Sequence, residues 1–309
     1  MFHEMKYVYA VYQEMSFSKA AKNLYISQPS LSAAVRKEEE ELGFPIFDRS
    51  TTPIRMTDFG LEYIRTAERI MQIQHEFSRY VEDLQGLKTG TLTVGASNLF
   101  ISYLLPPLLA KYTARFPLVK IELVEGTADR LIQQLTEGRI DLLVDNISLD
   151  PRIFDSRFCW QDRLMLTVPR RFPVNEGLER YALTAQQIRS GVHLQDNIPP
   201  VPLERFQQEP FLLLKPGNDS RRRAQDICAS HGFTLRPRLE LEQQLTAYHL
   251  SCCGMGISFC GDLLIRMVPP CPELVYYKLD EGVSVRSVCC YFKRTRYLTT
   301  AAREFLKMF

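Results

Sequence analysis

The chain has 309 residues, which is long for one hydrophobic core and suits two or three domains. Its apolar content of 45% and charged content of 24% are ordinary for a globular protein. Its net charge is only +2, so the overall charge does not by itself indicate a nucleic-acid partner. We find no apolar run of about 18 residues and no signal-peptide pattern at the N-terminus, so the sequence predicts a cytoplasmic protein with no membrane partner.

The first helix is predicted over residues 4–14, where apolar side chains recur at helical spacing at Met5, Val8, Tyr9 and Tyr12. Ser18 is a suitable N-cap for a short second helix over residues 19–24. Ser27 then predicts the start of a third helix, in which Pro29 is tolerated because a first-turn N–H needs no partner. Two short helices across a tight turn indicate a helix-turn-helix.

The start of the third helix carries small polar side chains. Leu31 and Val35 stand at positions i and i+4, so we expect them to face the core together. The outward side is left to Gln28, Ser30, Ser32 and Ala33. A glutamine amide can pair bidentately with adenine, and hydroxyl groups suit several base edges. This surface is therefore predicted to contact DNA bases, with Arg36 one turn later on a phosphate.

Residues 16–60, SFSKAAKNLYISQPSLSAAVRKEEEELGFPIFDRSTTPIRMTDFG, are similar to the signature of the LysR family of transcription regulators. That signature has a serine-capped helix with paired alanines, then S-Q-P-x-x-S, L-G-x-x-L-F-x-R and L-T-x-x-G. The resemblance implies an N-terminal winged helix-turn-helix, with residues 42–49 leading into the wing. The predicted DNA-binding residues are Ser27, Gln28, Pro29, Ser30, Ser32, Arg36, Arg49, Thr51, Thr52 and Arg55.

Two positions depart from the family pattern. Ala33 stands where members often carry a basic residue, and Glu38 stands where a hydrophobic residue usually precedes a glutamate. We expect the acidic run at residues 38–41 to be a solvated helix face, remote from the start of the helix. Residues 1–60 contain seven basic and eight acidic side chains, so sequence-independent DNA affinity should be modest.

A long linker helix is predicted over residues 58–84, with Thr57 as its N-cap and Gly86 as its stop. Two sets of positions with a period of seven form a 4-3 coiled-coil pattern, broken by the polar Gln74. The predicted dimerisation residues are Tyr63, Ala67, Ile70, Phe77, Val81 and Leu84. The alternative is an amphipathic helix packed on its own domain, but the resemblance implies dimerisation through this helix.

From residue 90 onward short apolar strands alternate with helices, a pattern typical of parallel sheet with helical crossovers. Strands are predicted at 91–96, 119–124, 140–144, 164–168, 211–214, 235–241, 256–259, 274–279 and 285–292. Helices are predicted at 102–116, 129–137, 220–231, 243–253 and 297–308. Residues 170–203 fit the pattern least and are expected to be irregular.

This order, together with the short runs TLTVGA, RIDLLV and GMGIS, looks like the LysR effector domain. The resemblance implies an α/β, two-lobed, periplasmic-binding-protein-like fold in which the chain crosses between the lobes twice. Lobe one is predicted to take residues 91–161 and 266–309, and lobe two residues 162–265. The chain then divides into a DNA-binding domain (1–57), a linker helix (58–88) and an effector-binding domain (89–309).

Ligands of open α/β sheets bind at the carboxyl ends of the strands, where helix N-termini attract anions. The residues that follow the predicted strands, together with Ser258 on the strand at 256–259, give a candidate effector set. It consists of Ser97, Asn98, Phe100, Thr127, Asn146, Asn218, Gln243 and Ser258. Hydroxyl and amide groups dominate this set and fixed charges are few, which favours a small polar or carboxylated metabolite. Each residue could equally be a helix cap or turn former, and residues 221–223 (three arginines) are expected to be a solvated helix face.

The eight cysteines show no C-x-x-C spacing, and the five histidines share no ligand spacing. We therefore expect no metal and no cofactor, and we expect the cysteines to be small, reduced hydrophobic residues. A redox sensor built on the adjacent Cys252 and Cys253 remains the alternative.

Enzyme motifs are also missing from the sequence. Residues 256–260 are similar to a nucleophile elbow but lack its closing glycine and follow a helix, and no Walker A, dinucleotide-binding or H-E-x-x-H motif occurs. A solute-binding module would need a secretion signal. The sequence thus predicts a ligand-responsive transcription regulator that binds an interrupted palindrome of double-stranded DNA as a homodimer or homotetramer.

Overall fold

The computed structural model describes residues 2–51, 53–84 and 90–309, apart from the side chains at positions 75, 76, 79, 82, 84, 281 and 283. The chain forms two compact units, an N-terminal unit, Met1–Val81, and a C-terminal unit, Glu82–Phe309. The predicted DNA contact at Thr52, the helix stop at Gly86 and the seam side chain of Leu84 lie outside the described residues.

The N-terminal unit is built from short helices, a small sheet and most of one long helix. In chain order its described elements are α1 (Met5–Glu14), α2 (Phe17–Asn23), α3 (Gln28–Leu42), β1 (Phe47–Asp48), β2 (Arg55–Met56) and α4 (Asp58–Leu84). The two strands pair antiparallel, with Phe47 opposite Met56, and form the wing after α3. A winged helix-turn-helix followed by a long helix is therefore confirmed.

Side-chain caps set the starts of these helices. Ser27 Oγ accepts a first-turn N–H at 3.2 Å and Thr57 Oγ1 accepts one at 2.9 Å, so both predicted caps are confirmed. The cap of α2 was predicted wrongly. Ser16, two residues before Ser18, holds the N–H of Lys19 at 3.4 Å, so the helix begins earlier.

The acidic run at residues 38–41 is not one solvated face, which corrects the expectation from sequence. Glu38 is completely buried and accepts hydrogen bonds from the backbone N–H of Phe2, from that of Glu4 at 3.1 Å and from Tyr63 Oη at 3.1 Å. Glu39 accepts two backbone N–H groups just before and at β1, at 2.8 and 3.1 Å. Only the last two glutamates of the run are exposed. The carboxylates of Glu38 and Glu39 therefore replace water with backbone donors, as buried charge requires.

Helix α4 divides its apolar residues between two environments. Tyr63 and Ala67 are 4% and 0% exposed within the core of the N-terminal unit, and Ile70 packs partly against that core. The prediction that Tyr63 and Ala67 form the dimer seam is therefore wrong, because their surfaces are already covered by their own unit. The exposed apolar side chains farther along α4 are Ile73, Phe77, Tyr80 and Val81.

The C-terminal unit is an α/β structure of two lobes. The first part of the chain gives β3 (Gly90–Ala96), a π-helical turn (Phe100–Leu104), α5 (Leu105–Arg115), β4 (Val119–Glu125), α6 (Ala128–Thr136), β5 (Leu142–Asp145) and β6 (Phe154–Pro169). Next come β7 (Ala182–Leu183), α7 (Ala185–Arg189), β8 (Phe211–Leu214), α8 (Asp219–Ser230), β9 (Pro237–Leu241) and α9 (Gln244–Cys252). The last elements are β10 (Ile257–Gly261), α10 (Asp262–Met267), β11 (Leu274–Lys278), α11 (Glu281–Ser284), β12 (Val285–Lys293) and α12 (Thr300–Leu306).

One long strand joins the two lobes. The described strands follow the order β4-β3-β5-β12-β6-β10-β8-β9, with β11 also on β6 and β7 on β11. Residues 154–163 of β6 pair with β12 in lobe one, and residues 164–169 pair with β10 and β11 in lobe two. Sequence periodicity predicted only 164–168 of this strand, because its first half, FDSRFCWQD, is polar and half exposed.

The second crossing between the lobes lies later in the chain than predicted. Strand β11 pairs with β6 from Leu274 opposite Pro169 to Lys278 opposite Met165, which places residues up to 278 in lobe two. The return to lobe one runs through α11 into β12, so the predicted boundary at residue 266 is wrong. The order of strands along the chain does not reveal which neighbour each strand pairs with, and the boundary depends on that pairing.

Candidate nucleic-acid interface and ligand cavity

The first turn of α3 forms an exposed polar surface at the edge of the N-terminal unit. Gln28, Pro29 and Ser30 are all exposed, and the capping Ser27 lies beside them with its Oγ 2.7 Å from Ser30 Oγ. Leu31 is completely buried, so the helix is anchored from the opposite side, as the spacing predicted. Small side chains on a protruding helix start suit entry into a major groove.

Arg49 contacts other side chains of its own unit, a neighbourhood that the sequence did not reveal. Its Nη2 lies 2.9 Å from Glu39 Oε2, its Nη1 donates to Ser32 Oγ at 3.2 Å, and its guanidinium stacks on the Phe17 ring at 4.8 Å. The side chain is 32% exposed. Two of its nitrogens thus hold α3 and the start of the wing together, and the predicted contact of Arg49 with a phosphate stays a prediction. Arg36 is exposed on α3.

The wing keeps two of the predicted DNA-binding residues near its tip. Arg55 is exposed on β2, and Thr51 donates its hydroxyl to the Pro53 carbonyl at 2.9 Å. At the start of the turn, hydrogen bonds from the Ser50 hydroxyl and N–H hold the pKa of Asp48 below its usual value. These bonds fix the turn. Arg55 is exposed, so the wing presents a cation to solvent.

A cavity of about 900 Å³ opens between the lobes of the C-terminal unit. Six of the eight predicted effector residues line it: Ser97, Phe100, Thr127, Asn146, Asn218 and Gln243. These residues are far apart in the sequence and come from both lobes, so the prediction that one cleft brings them together is supported by the geometry.

Two predicted effector residues do not line this cavity. Asn98 donates its amide to Glu125 Oε1 at 3.1 Å instead. Ser258 is completely buried and accepts the hydroxyl of Ser251 at 2.8 Å, so its side chain contacts α9. Neither side chain therefore belongs to the lining of this cavity. The position of a residue at a strand end predicts that it lies near the cavity, but not which way its side chain points.

Helix N-termini from both lobes meet at the cavity. Thr127 and Gln243 are the N-caps of α6 and α9, and neither makes a side-chain cap hydrogen bond. Asn218 caps α8 by accepting the Ser220 N–H at 2.9 Å, and Ser97 precedes the helical segment that continues into α5. Each N-terminus carries partial positive charge, and its first-turn N–H groups have no acceptor within the helix backbone, so their convergence favours an anionic ligand.

Sequence reasoning missed the guanidinium of Arg286 on β12, which is a buried charge in the cavity wall. This residue is 4% exposed; its Nε donates to Asp162 Oδ2 at 2.6 Å and its Nη1 to Ser220 Oγ at 2.8 Å. With the Asn146 amide turned so that its oxygen meets donors, that oxygen lies 3.1 Å from all three guanidinium nitrogens. A lone charged residue inside the strand run VRSVCCYF, which is otherwise apolar except for one serine, was the available signal.

Asp162, the partner of Arg286, is itself held in place by neighbouring buried groups. Asp162 Oδ1 also accepts the N–H of Leu263 at 3.2 Å, and the neighbouring Asp262 is held by His193 Nε2 at 2.9 Å. Gly261 has to lack a side chain here, because a Cβ would stand 2.3 Å from Asp162 Oδ1. These contacts fix Asp162, and through it the orientation of the guanidinium.

Asp145 adds a carboxyl group to the same wall. Burial raises its pKa to about 6, although the N–H groups of Asn146 and Ile147, at 2.6 and 3.2 Å, favour the charged form. Arg286 also lowers the pKa of Asp145, but less than burial raises it. The expectation of few fixed charges in this site is therefore wrong.

The three arginines at the start of α8 are not simply a solvated face. Arg221 donates to Glu240 Oε1 at 2.6 Å and Arg223 to Asp219 Oδ2 at 2.6 Å, with side chains only 13% and 20% exposed. Arg222 is 63% exposed and also pairs with Asp219. Burial disfavours the charged form of Asp219, but hydrogen bonds from Arg223 and Arg222 outweigh it and lower its pKa. All three arginines line the cavity.

The adjacent cysteines differ in environment. Cys253 is exposed, while burial raises the pKa of the partly buried Cys252 to about 12, which disfavours the reactive thiolate. Among the residues that the structure describes, no group of three or more His, Cys, Asp or Glu side chains could hold a metal ion. In the same part of the chain, no helix combines the length and apolar character that spanning a bilayer requires.

Comparisons with known proteins agree across the whole chain. Residues 2–61 match the family model described as "Bacterial regulatory helix-turn-helix protein, lysR family", and residues 85–309 match that of the "LysR substrate binding domain". A probable RuBisCO transcriptional regulator of Trichormus variabilis is 34% identical over 98% of this chain and 85% of its own length. An uncharacterised HTH-type transcriptional regulator of Bacillus subtilis, YcgK, is 29% identical over 98% and 92%.

Solved structures share the fold at lower identity. Full-length CbnR in complex with its target DNA is 19% identical with a TM-score of 0.67, covering 100% of this chain and 98% of that one. Full-length OxyR from Pseudomonas aeruginosa is 20% identical with a TM-score of 0.65, covering 99% and 93%. Proteins of this family are transcription regulators, which as a group are not enzymes. The chain belongs to the LysR family and is a DNA-binding transcription regulator with an effector-binding domain.

Proposed function

We propose that this regulator binds a small carboxylated effector in the cavity between its lobes, and that occupancy alters its promoter contacts. The observation that carries the proposal is the convergence of helix N-termini from both lobes on one cavity whose wall contains the buried guanidinium of Arg286. A carboxylate can take hydrogen bonds from both kinds of donor.

Arg286 supports a route from binding to a change in shape. Its partners come from both lobes: Asn146 follows β5 in lobe one, and Ser220 lies at the start of α8 in lobe two. An effector carboxylate that takes over the guanidinium donors would release one of these contacts. The relative position of the lobes would then depend on whether the cavity is occupied.

Carboxylate binding can be tested on the full-length protein by thermal unfolding against a panel of small mono- and dicarboxylic acids at millimolar concentration. At least one acid should raise the melting temperature of the wild type, and Arg286→Gln should abolish that rise. Arg157→Gln, at an exposed position on β6, is the matched control and should respond as the wild type. An acid that stabilises Arg286→Gln as much as wild type would contradict the assignment of the anchor.

DNA reading in this proposal belongs to the start of α3. Gln28 and Ser32 would face base edges in the major groove, and the exposed Arg36 and Arg55 would lie on phosphates. Replacing Gln28 with Ala should cost about 1–3 kcal/mol at the specific site and little on random DNA, measured by footprinting and salt titration. We infer a cytoplasmic location, because a regulator has to reach its target DNA.

Assembly would use the exposed part of α4. Ile73, Phe77 and Tyr80 are 65%, 66% and 39% exposed and stand at i, i+4 and i+7, the spacing of a coiled-coil seam. Two copies paired here would present two reading surfaces to an interrupted palindrome, as a homodimer or as half of a homotetramer. Phe77→Glu should weaken self-association in sedimentation experiments, whereas the exposed but isolated Leu118→Glu should not. Equal association of both variants would exclude this seam.

A further inference from the structure

The hydroxyl of Ser32 on α3 is in hydrogen-bond contact with a guanidinium group. It lies half-buried on α3, one turn after the exposed Gln28, and accepts an N–H from Arg49 Nη1 at 3.2 Å. A serine hydroxyl has one proton to donate and two lone pairs to accept with. The contact with Arg49 uses one lone pair, and within the described residues Ser32 donates its own proton to no acceptor.

Arg49 is held in this contact by groups that are themselves fixed. Glu39 Oε2 binds Arg49 Nη2 at 2.9 Å, while Glu39 Oε1 accepts the N–H groups of Ile46 and Phe47 at 2.8 and 3.1 Å. The Phe17 ring covers one face of the guanidinium at 4.8 Å. The glutamate side chain is 13% exposed and the arginine side chain 32%, so water and salt screen this ion pair only in part.

We propose that Arg49 acts as a specificity-determining residue without touching a base, by turning Ser32 into a hydrogen-bond donor toward DNA. A cationic donor on the oxygen polarises the O–H bond, which strengthens the hydroxyl as a donor and weakens it as an acceptor. The inference rests on the proposed function, because it requires Ser32 to face the major groove.

The polarity of Ser32 selects among base edges. In the major groove, guanine presents the acceptors N7 and O6, adenine presents N7 and thymine presents O4, whereas cytosine presents only the N4 amino donor. A donating Ser32 therefore accepts guanine, adenine or thymine on the strand that it faces and disfavours cytosine. A free serine would tolerate all four bases, because its hydroxyl can rotate to suit either partner.

The test begins with selection of binding sites from random DNA duplexes by the full-length protein and by Ser32→Ala. The position at which Ser32→Ala loses its base preference is the Ser32-dependent position. Four duplexes that differ only there are then titrated with each variant and followed by fluorescence anisotropy. Wild type should bind the cytosine duplex about threefold to tenfold more weakly than the best of the others, the value of one hydrogen bond. Arg49→Gln should reduce this spread, the ratio of affinities between the best duplex and the cytosine duplex, to less than about twofold.

Two further variants separate specificity from folding and from charge. Arg36→Gln removes an exposed cation from the same helix and should weaken all four duplexes equally. Phe17→Leu removes the aromatic face beneath the guanidinium but leaves Arg49 in place, and should give a spread between those of wild type and Arg49→Gln.

The outcomes distinguish this inference from the proposal on which it rests. If Ser32→Ala changes the preference at no position, Ser32 does not read DNA and both ideas fail. If Ser32→Ala flattens one position but Arg49→Gln keeps the wild-type spread there, or if wild type prefers cytosine there, only the polarising effect of Arg49 is overturned.

Discussion

Glu38 and Arg286 are both buried, yet the two units surround their charges differently. The hydrogen bonds that the structure describes at Glu38 come from neutral donors: two backbone N–H groups and the Tyr63 hydroxyl. Arg286 is paired with the carboxylate of Asp162 at 2.6 Å and stands at the wall of a cavity. The first arrangement encloses a charge completely, whereas the second leaves a charge within reach of a ligand.

The difference follows from what each charge connects. Glu38 joins the segment before α1, the far end of α3 and the start of α4, so its bonds fasten elements that must keep one arrangement for DNA reading. Arg286 joins residues from two lobes, and in the proposed function a ligand anion would replace some of its partners. Buried charge thus fixes the N-terminal unit, whereas in the proposed function the buried charge of the C-terminal unit would respond to a ligand.

The largest effect is expected at the buried ion pair of the C-terminal unit. Arg286→Leu leaves Asp162 as an unpaired buried carboxylate and should cost about 3–5 kcal/mol of stability. Adding Asp162→Asn should recover part of this loss. Urea unfolding followed by the fluorescence of Trp160, the single tryptophan of the chain, reports on β6 of this unit. Equal stability of the single and double variants would show that the two groups are not coupled.

A smaller, pH-dependent effect is expected at Asp145. Its pKa is raised from 3.8 to about 6, so the folded state holds the proton more tightly than the unfolded state. The contribution to stability is complete below about pH 4 and is lost as the pH rises through 6, by up to about 3 kcal/mol. Asp145→Asn, which has no proton to lose, should therefore gain stability relative to wild type between pH 4 and 6.5. A difference that stays constant over this range would contradict the raised pKa.

In the N-terminal unit, Glu38→Leu should cost about 2–3 kcal/mol, because it leaves one buried and two half-buried donors without their acceptor. Leucine fits the usual hydrophobic character of this position in the family, so the loss would show that this chain depends on its carboxylate. Hydrogen exchange of the α3 amides measures the effect within this unit. Glu40→Leu, at an exposed position on the same helix, is the matched control and should change little.

The smallest effect is expected for the phenol that faces Glu38. Tyr63→Phe removes one of three donors and should cost about 1 kcal/mol by the same measurement. In the Glu38→Leu background the same change should cost less or be favourable, because it removes an unsatisfied hydroxyl. Additive costs in the double variant would show that Glu38 and Tyr63 act independently.

Local chemistry is what the sequence predicted well. Ser27 and Thr57 were identified as caps because a cap hydrogen bond spans three residues, and the C-terminal strands and helices were found from apolar runs and their periods. The same reasoning found most of the cavity, since residues that follow parallel strands gather at one edge of a sheet. It failed at Ser258 and Asn98, whose side chains make other contacts.

By itself, the sequence determined that this protein has a helix-turn-helix, a long helix and an alternating α/β region, because caps, turns and hydrophobic periods are properties of neighbouring residues. The wing was implied by the resemblance to the LysR family. Only the tertiary structure decided that Glu38 is buried against Tyr63, that Arg49 meets Ser32, and that Arg286 reaches Ser220. The partners in these pairs are separated by 25, 17 and 66 residues. Each contact depends on how whole elements pack, which no local pattern records.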